Sequence, residues 1–166
     1  NEFFGMSWNA SVQHNKVYIE NITSDNKAEL QNFAQDLIEN IVLEKYKNQI
    51  SENEHCDTIV EISKMIELKY SHILYNGKYK IGTAQKLLNL LLKYYWCIGL
   101  INRPPHCPID RIILSEIGIK NINWTEIETI EKYKNVIMEI KAKNKNMNLS
   151  DWELEVWKRR RTTAST

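Results

Sequence analysis

Glycine and proline are scarce in this chain, five and three among 166 residues. So few turn-formers leave little scope for the hairpins of an all-β fold, and long helices with few connections are expected. Cysteine is scarcer and odd in number. Cys56, Cys97 and Cys107 have no framework spacing, which argues for free thiols in a reducing compartment. No run of about 18 uncharged apolar residues occurs, so no membrane span is expected. No basic-then-apolar leader opens the chain, and the expected location is cytoplasmic. A Walker A loop, GxGxxG, HExxH, GxSxG and CxxC are all missing. Glu54-His55-Cys56, Cys97 and His106-Cys107 carry soft donors, yet their spacing matches no zinc module. Neither a metal nor any other cofactor is therefore expected. Charge of one sign does not dominate either, since 22 Lys+Arg against 21 Asp+Glu leave a formal net charge of +1. That balance neither demands nor excludes a nucleic-acid partner, so local clustering must carry the argument.

What is present is helical periodicity. With 43% apolar and 26% charged residues the chain can bury a real core, expected as one domain over residues 1–161 with a disordered Thr/Ser tail at 162–166. Leu30, Ala34, Leu37, Ile38, Ile41 and Val42 keep the helical period behind cap candidates at Thr23-Ser24-Asp25, through about Asn48. Ile59, Ile62, Ile66, Tyr70 and Ile73 mark a second helix over about 54–74, after the polar break Ser51-Glu52-Asn53-Glu54. Asn76-Gly77 signals a turn. Ile112, Ile113, Leu114 and Ile117 predict a short buried helix ending near Gly118. Thr125 with Glu128, and Ser150 with Glu153, have capping-box spacing before a helix to about Asn146 and a short last helix. Residues 1–24 are the least decided, with Val17-Tyr18-Ile19 reading as one extended segment that packs along helices. The expected fold is an all-α, single compact domain of about six helices.

Residues 81–110 are the stretch around which that domain is organised. Leu87, Leu88, Leu90, Leu91, Leu92, Tyr94, Tyr95, Trp96 and Ile98 predict a helix apolar nearly all round, hence buried, opened by Gly82-Thr83 and closed at Gly99. Lys86, Asn89 and Lys93, at i, i+3 and i+7, form one narrow polar stripe that either meets water or lines a cleft. The loop Arg103-Pro104-Pro105-His106-Cys107-Pro108 then delivers Asp110 to the next apolar run.

Two short patterns flank this helix. Gly82-Thr83-Ala84-Gln85-Lys86 has the form G-x-x-x-K at a helix start, and Pro108-Ile109-Asp110 precedes Arg111-Ile112-Ile113 in the form P-[VI]-D-x-x-[IV]. In that order, over about residues 76–118, they resemble the helix-hairpin-helix DNA glycosylase family. Ala84 stands where the family carries a second hairpin glycine, the Lys86–Asp110 separation is longer by the 103–107 loop, and no iron–sulfur cysteine cluster follows. The resemblance implies a helix-hairpin-helix-like centre, DNA as partner, and Lys86 and Asp110 as the catalytic pair. It implies excision of a modified base in base-excision repair, or in phage defence as in glycosylases that attack modified phage DNA.

The chemistry can be stated apart from the family. An amine attacking the sugar C1′ must be neutral, and an apolar wall favours a neutral amine. A nearby carboxylate stabilises an oxocarbenium-like sugar or takes a proton. The extruded base needs aromatic walls and amide edges, for which Asn89, Lys93, Tyr94, Tyr95, Trp96 and Trp8 are the candidates. Gly82, Thr83, Arg103, Arg111 and the basic run Lys158, Arg159, Arg160 and Arg161 are candidates for DNA-backbone contacts. Each has a plainer alternative. Lys86 can be solvated, Asp110 can be only an N-cap, Tyr94-Tyr95-Trp96 can be core, and the basic run can end a solvated helix. On those readings the chain is a non-enzymatic helical module that binds protein or nucleic acid. A metal-dependent nuclease would need clustered carboxylates, which are missing.

Overall fold

Helix α4 (Ile81–Cys97) is the element against which α1 (Glu2–Val12), α3 (Glu52–Tyr70) and α6 (Ile130–Lys143) all pack. Every residue from Ile81 to Asn89 is buried, which matches a helix with apolar residues on nearly every side. Gly99, at φ +75°, ends it. Its N–H donates to Trp96 O (2.9 Å) and that of Leu100 to Tyr95 O (2.9 Å), the paired bonds of a Schellman turn. The computed structural model describes residues 2–144 and 147–164, with 161–164 described by backbone alone. Among them are seven α-helices and no strand, in one compact all-α domain. No described helix is long and apolar enough to cross a membrane.

The helix beyond the expected six is α1. Its buried face is Phe4, Ser7, Trp8 and Ser11, a helical spacing in which two of the four positions are polar. Serine fits there because its hydroxyl donates within the helix, Ser7 Oγ to Phe3 O and Ser11 Oγ to Trp8 O, both 2.8 Å. Val17-Tyr18-Ile19 is extended and makes a single antiparallel bridge, Tyr18 to Leu74, with Tyr75 N–H donating to Val17 O at 2.8 Å. Helix α2 (Ser24–Lys45) is capped by Thr23, and α3 begins with a complete capping box between Ser51 and Glu54. The turn before α4 holds Asn76 and Gly77 at positive φ (+55° and +67°), the conformation their residue types favour.

Two caps fall elsewhere than the sequence pattern suggests. Thr125 lies in a 3₁₀ turn (Trp124–Glu126), and α6 is capped by Thr129 through Lys132 N–H. Before α7 (Leu149–Ala164) it is Asn148 whose Oδ1 accepts the N–H groups of Ser150 (3.0 Å) and Asp151 (3.3 Å). Ser150 instead donates to Pro104 O (2.8 Å) and His106 O (3.2 Å), tying the proline loop to α7, and Glu153 turns inward. A capping-box match records spacing, and a buried acceptor within reach of the hydroxyl competes with the cap. Helix α7 also takes in three of the five positions expected as tail, whose remaining two lie outside the described residues.

A candidate active site around Lys86 and Asp110

Each member of the polar stripe on α4 has a partner brought from later in the chain. Lys86, only 6% exposed, donates its Nζ–H to Asp110 Oδ2. The other carboxylate oxygen, Oδ1, accepts the N–H of Ile113 at 3.0 Å and caps α5 (Arg111–Glu116). One carboxylate therefore fills the capping role and the lysine-facing role at once, one oxygen for each.

Register between α4 and the Asp110 loop is set by two buried amides. Gln85 pairs with the backbone of Ile109 as a neighbouring strand would, its Oε1 accepting Ile109 N–H (3.1 Å) and its Nε2 donating to Ile109 O (2.8 Å). Asn89 Nδ2 has three acceptors for its two N–H groups, Cys107 O, Gln85 Oε1 and Tyr133 Oη, all at 3.1–3.2 Å. Buried backbone groups in an irregular loop need such partners. Meeting them from side chains of α4 places the carboxylate directly over Lys86.

Beyond Tyr133 the network continues through two histidines. Tyr133 Oη lies 2.9 Å from His106 Nδ1, and Tyr46 Oη 2.7 Å from His55 Nδ1. The two imidazoles meet edge to face with centroids 4.8 Å apart. Burial pushes both histidines below their ordinary range, and for His55 the neighbouring His106 adds to it. Among the described residues the Nε2 atoms of both have no hydrogen-bond partner, and Glu52 Oε2 stands 3.9 Å from that of His106.

Lys86 and Asp110 open onto a cleft of about 1080 Å³. Its walls come from the end of α1, the α4 stripe, the segment around Asp110, the 3₁₀ turn at Trp124, and α7. The Trp124 ring centroid lies 5.8 Å from Lys86 Nζ. Farther along, Lys93 Nζ donates to Glu153 Oε1 at 2.6 Å and lies 5.1 Å from the Trp157 ring centroid. Burial raises the Glu153 carboxyl above its usual range, opposed by the Lys93 ammonium and reinforced by the charge of Asp110.

The expected site residues divide between this cleft and the rest of the fold. Lys86, Lys93, Tyr94, Asp110, Arg111 and Lys158 line it. Asn89 lies beneath it in the amide network, a supporting position where a wall was expected. Trp8 is core, packed on Phe4 at 6.0 Å, and Tyr95 is buried. Trp96 borders a separate depression with Arg103, whose guanidinium is held by Asp151 at 2.7 Å. Gly82 and Thr83 are buried, which corrects their expected place against DNA. Gly82 N–H donates to Ile127 O (2.8 Å), and a Cβ at this position would stand 2.0 Å from Trp124 O. The glycine thus admits the 3₁₀ turn, which carries Trp124 to the cleft. Thr83 Oγ1 accepts from Asn15 Nδ2 at 2.8 Å. Arg159 and Arg160 reach Glu116 (3.4 and 3.7 Å), and the side chain of Arg161 lies outside the described residues.

Trp124, Glu153 and Trp157 enter the cleft, and Gln85 supports it, without having been singled out for this from sequence. Gln85 stands next to Lys86 and Glu153 in a capping-box pattern, so the residue types carried signals of other roles. No family model matches this chain, and neither does any curated protein or solved structure, so the chemistry of the cleft rests on its own residues.

Proposed function

We propose that this chain is a DNA glycosylase that excises a modified base, with Lys86 as nucleophile or sugar-contacting amine and Asp110 as its electrostatic partner and proton acceptor. One observation carries the reading: a nearly buried lysine and a carboxylate are in hydrogen-bond contact on the wall of a cleft large enough for an extruded nucleoside. In a module that uses Asp110 only as a cap, the space over the pair would be filled by core. The hydrogen bond supplies the path by which Lys86 gives its proton to Asp110 and becomes a neutral amine. Attack on C1′ then forms the C–N bond as the glycosidic bond breaks, its electron pair leaving with the base, which takes the proton that Asp110 received from Lys86. The carboxylate, charged again, stabilises the cationic sugar, and loss of a proton from the bound nitrogen with opening of the sugar ring gives the Schiff base that borohydride reduces. Arg111 and Lys158 on the cleft suit phosphate contacts, which position DNA without reading its sequence. The resemblance in residues 76–118 supports the same assignment, and repair or defence against modified phage DNA are the settings it implies.

Borohydride reduction tests it. Wild type is expected to be trapped covalently on a duplex bearing its target base, and Lys86→Ala to give no trapped species. Excision without trapping reduces Lys86 to a sugar contact. No excision across a broad panel of modified bases refutes the reading.

A further inference from the structure

Seven residues along α4 from Lys86, about 10 Å on at 1.5 Å per residue, the same combination of groups recurs. Lys86 has Asp110 and the Trp124 ring; Lys93 has Glu153 and the Trp157 ring. All six side chains line the one cleft. Glu153 is 2% exposed, whereas Trp157, at 36%, keeps much of its indole open. Fastening α7 to α4 does not by itself call for an ion pair, since buried pairs often do no better than apolar residues of similar volume. An ammonium and a carboxylate kept side by side at the wall of a cleft present a donor-only group next to an acceptor-only group.

We propose that Lys93, Glu153 and Trp157 form the base-reading end of this cleft and select a nucleobase whose Watson–Crick edge is intact. The inference rests on the glycosylase reading of Lys86. With the sugar C1′ at Lys86, an extruded base extends along α4 toward Lys93, because the cleft follows that stripe. An intact pairing edge offers an acceptor beside a donor, which matches Lys93 and Glu153, while the indole of Trp157 supplies a stacking wall. A methyl group on a ring nitrogen of that edge removes one of the two partners, so a polar group of the Lys93–Glu153 pair loses water to the base without gaining a hydrogen bond from it. The modification that marks the target therefore sits off the pairing edge, as at C5 of a pyrimidine or C8 of a purine.

The test uses duplexes with one 5-hydroxymethyluracil or 8-oxoguanine (edge intact), or one 3-methylcytosine or 1-methyladenine (edge blocked). Excision is followed under single turnover, and affinity is measured in parallel by anisotropy. Wild type is expected to excise at least one edge-intact base roughly 100-fold or more better than either blocked base, as sites built around hydrogen bonds do. Glu153→Gln is expected to shrink that preference to less than about tenfold. Trp157→Leu, at a partly exposed position that leaves the fold in place, should lower kcat/KM for the edge-intact base. Equal excision of intact and blocked bases, or an unchanged preference in both variants, overturns the base-reading role while leaving the glycosylase reading standing. If nothing is excised but binding still prefers intact edges in a Glu153-dependent way, the base-reading end stands and the chemistry at Lys86 falls. No excision with equal affinities overturns both.

Discussion

Replacing Asp110 by Asn separates the two oxygens of one side chain. Asparagine caps a helix as well as aspartate, so Oδ1 keeps the N–H of Ile113 and α5 keeps its cap. The other carboxylate oxygen becomes an NH₂ group that faces the Lys86 ammonium, donor against donor. Breaking a buried ion pair from one side costs about 3–5 kcal/mol, because the remaining charge stays desolvated. Lys86 is nearly buried, but Asp110 has a side chain 17% exposed and the pair borders a cleft, so water softens the penalty. We expect about 3 kcal/mol for Asp110→Asn. Asp110→Ala loses the cap as well, adding about 1 kcal/mol. Lys86→Met with Asp110→Asn removes the stranded charge and is expected to recover to within about 1 kcal/mol of wild type, as apolar replacements of buried pairs do. Urea unfolding followed by circular dichroism gives all three, and about 3 kcal/mol corresponds to roughly 6–12 °C in Tm for a domain of this size. An Asp110→Asn variant as stable as wild type, together with a double variant no better than the single, would refute the coupling of the two side chains.

Gly82→Ala places a methyl 2.0 Å from Trp124 O and should cost at least about 2 kcal/mol by displacing the 3₁₀ turn; an unchanged urea midpoint would contradict that packing. Gln85→Leu leaves both polar backbone groups of Ile109 without their side-chain partner, an expected loss of about 2–4 kcal/mol, and should reduce borohydride trapping when measured on folded protein. Acid should destabilise the fold through His55 and His106. Burial holds both below their unfolded range, so the unfolded state takes up protons first. Stability is then complete above about pH 6.5 and falls toward the lowered folded values, by up to about 1.4 kcal/mol per pH unit for each histidine. Urea midpoints that do not move between pH 7.5 and 5.5 would contradict this linkage.

The all-α class, helices α2 to α4, the turn at Asn76-Gly77 and the stop at Gly99 were legible because local signals and burial agree there. Lys86 and Asp110 were legible as a pair for another reason. A lysine inside an apolar helix is locally improbable enough to be noticed, whereas an aspartate directly before one is an ordinary cap, and it was the order of the G-x-x-x-K and P-[VI]-D patterns that coupled the two. Where a residue type suits two environments, the reading failed. Buried serines hid the face of α1, since a hydroxyl bonded to its own helix costs little to bury. Glu153 and Ser150 had the spacing of a cap, yet both turn inward to partners more than 40 residues away, Lys93 and the proline loop. Gly82 fitted a hairpin that approaches phosphate, but its missing Cβ makes room for Trp124 O.

By itself the sequence determined six of the seven described helices, their order and which helix is buried, because period, caps and turn residues act within a few positions of one another. Only the tertiary structure decided what that buried helix faces. Whether Lys86, Asn89 and Lys93 meet water, core or a cleft depends on where the proline loop, the 3₁₀ turn at Trp124 and α7 fold back. Those long-range contacts are selected by desolvation and hydrogen-bond satisfaction between segments distant in the chain, for which no local pattern is required.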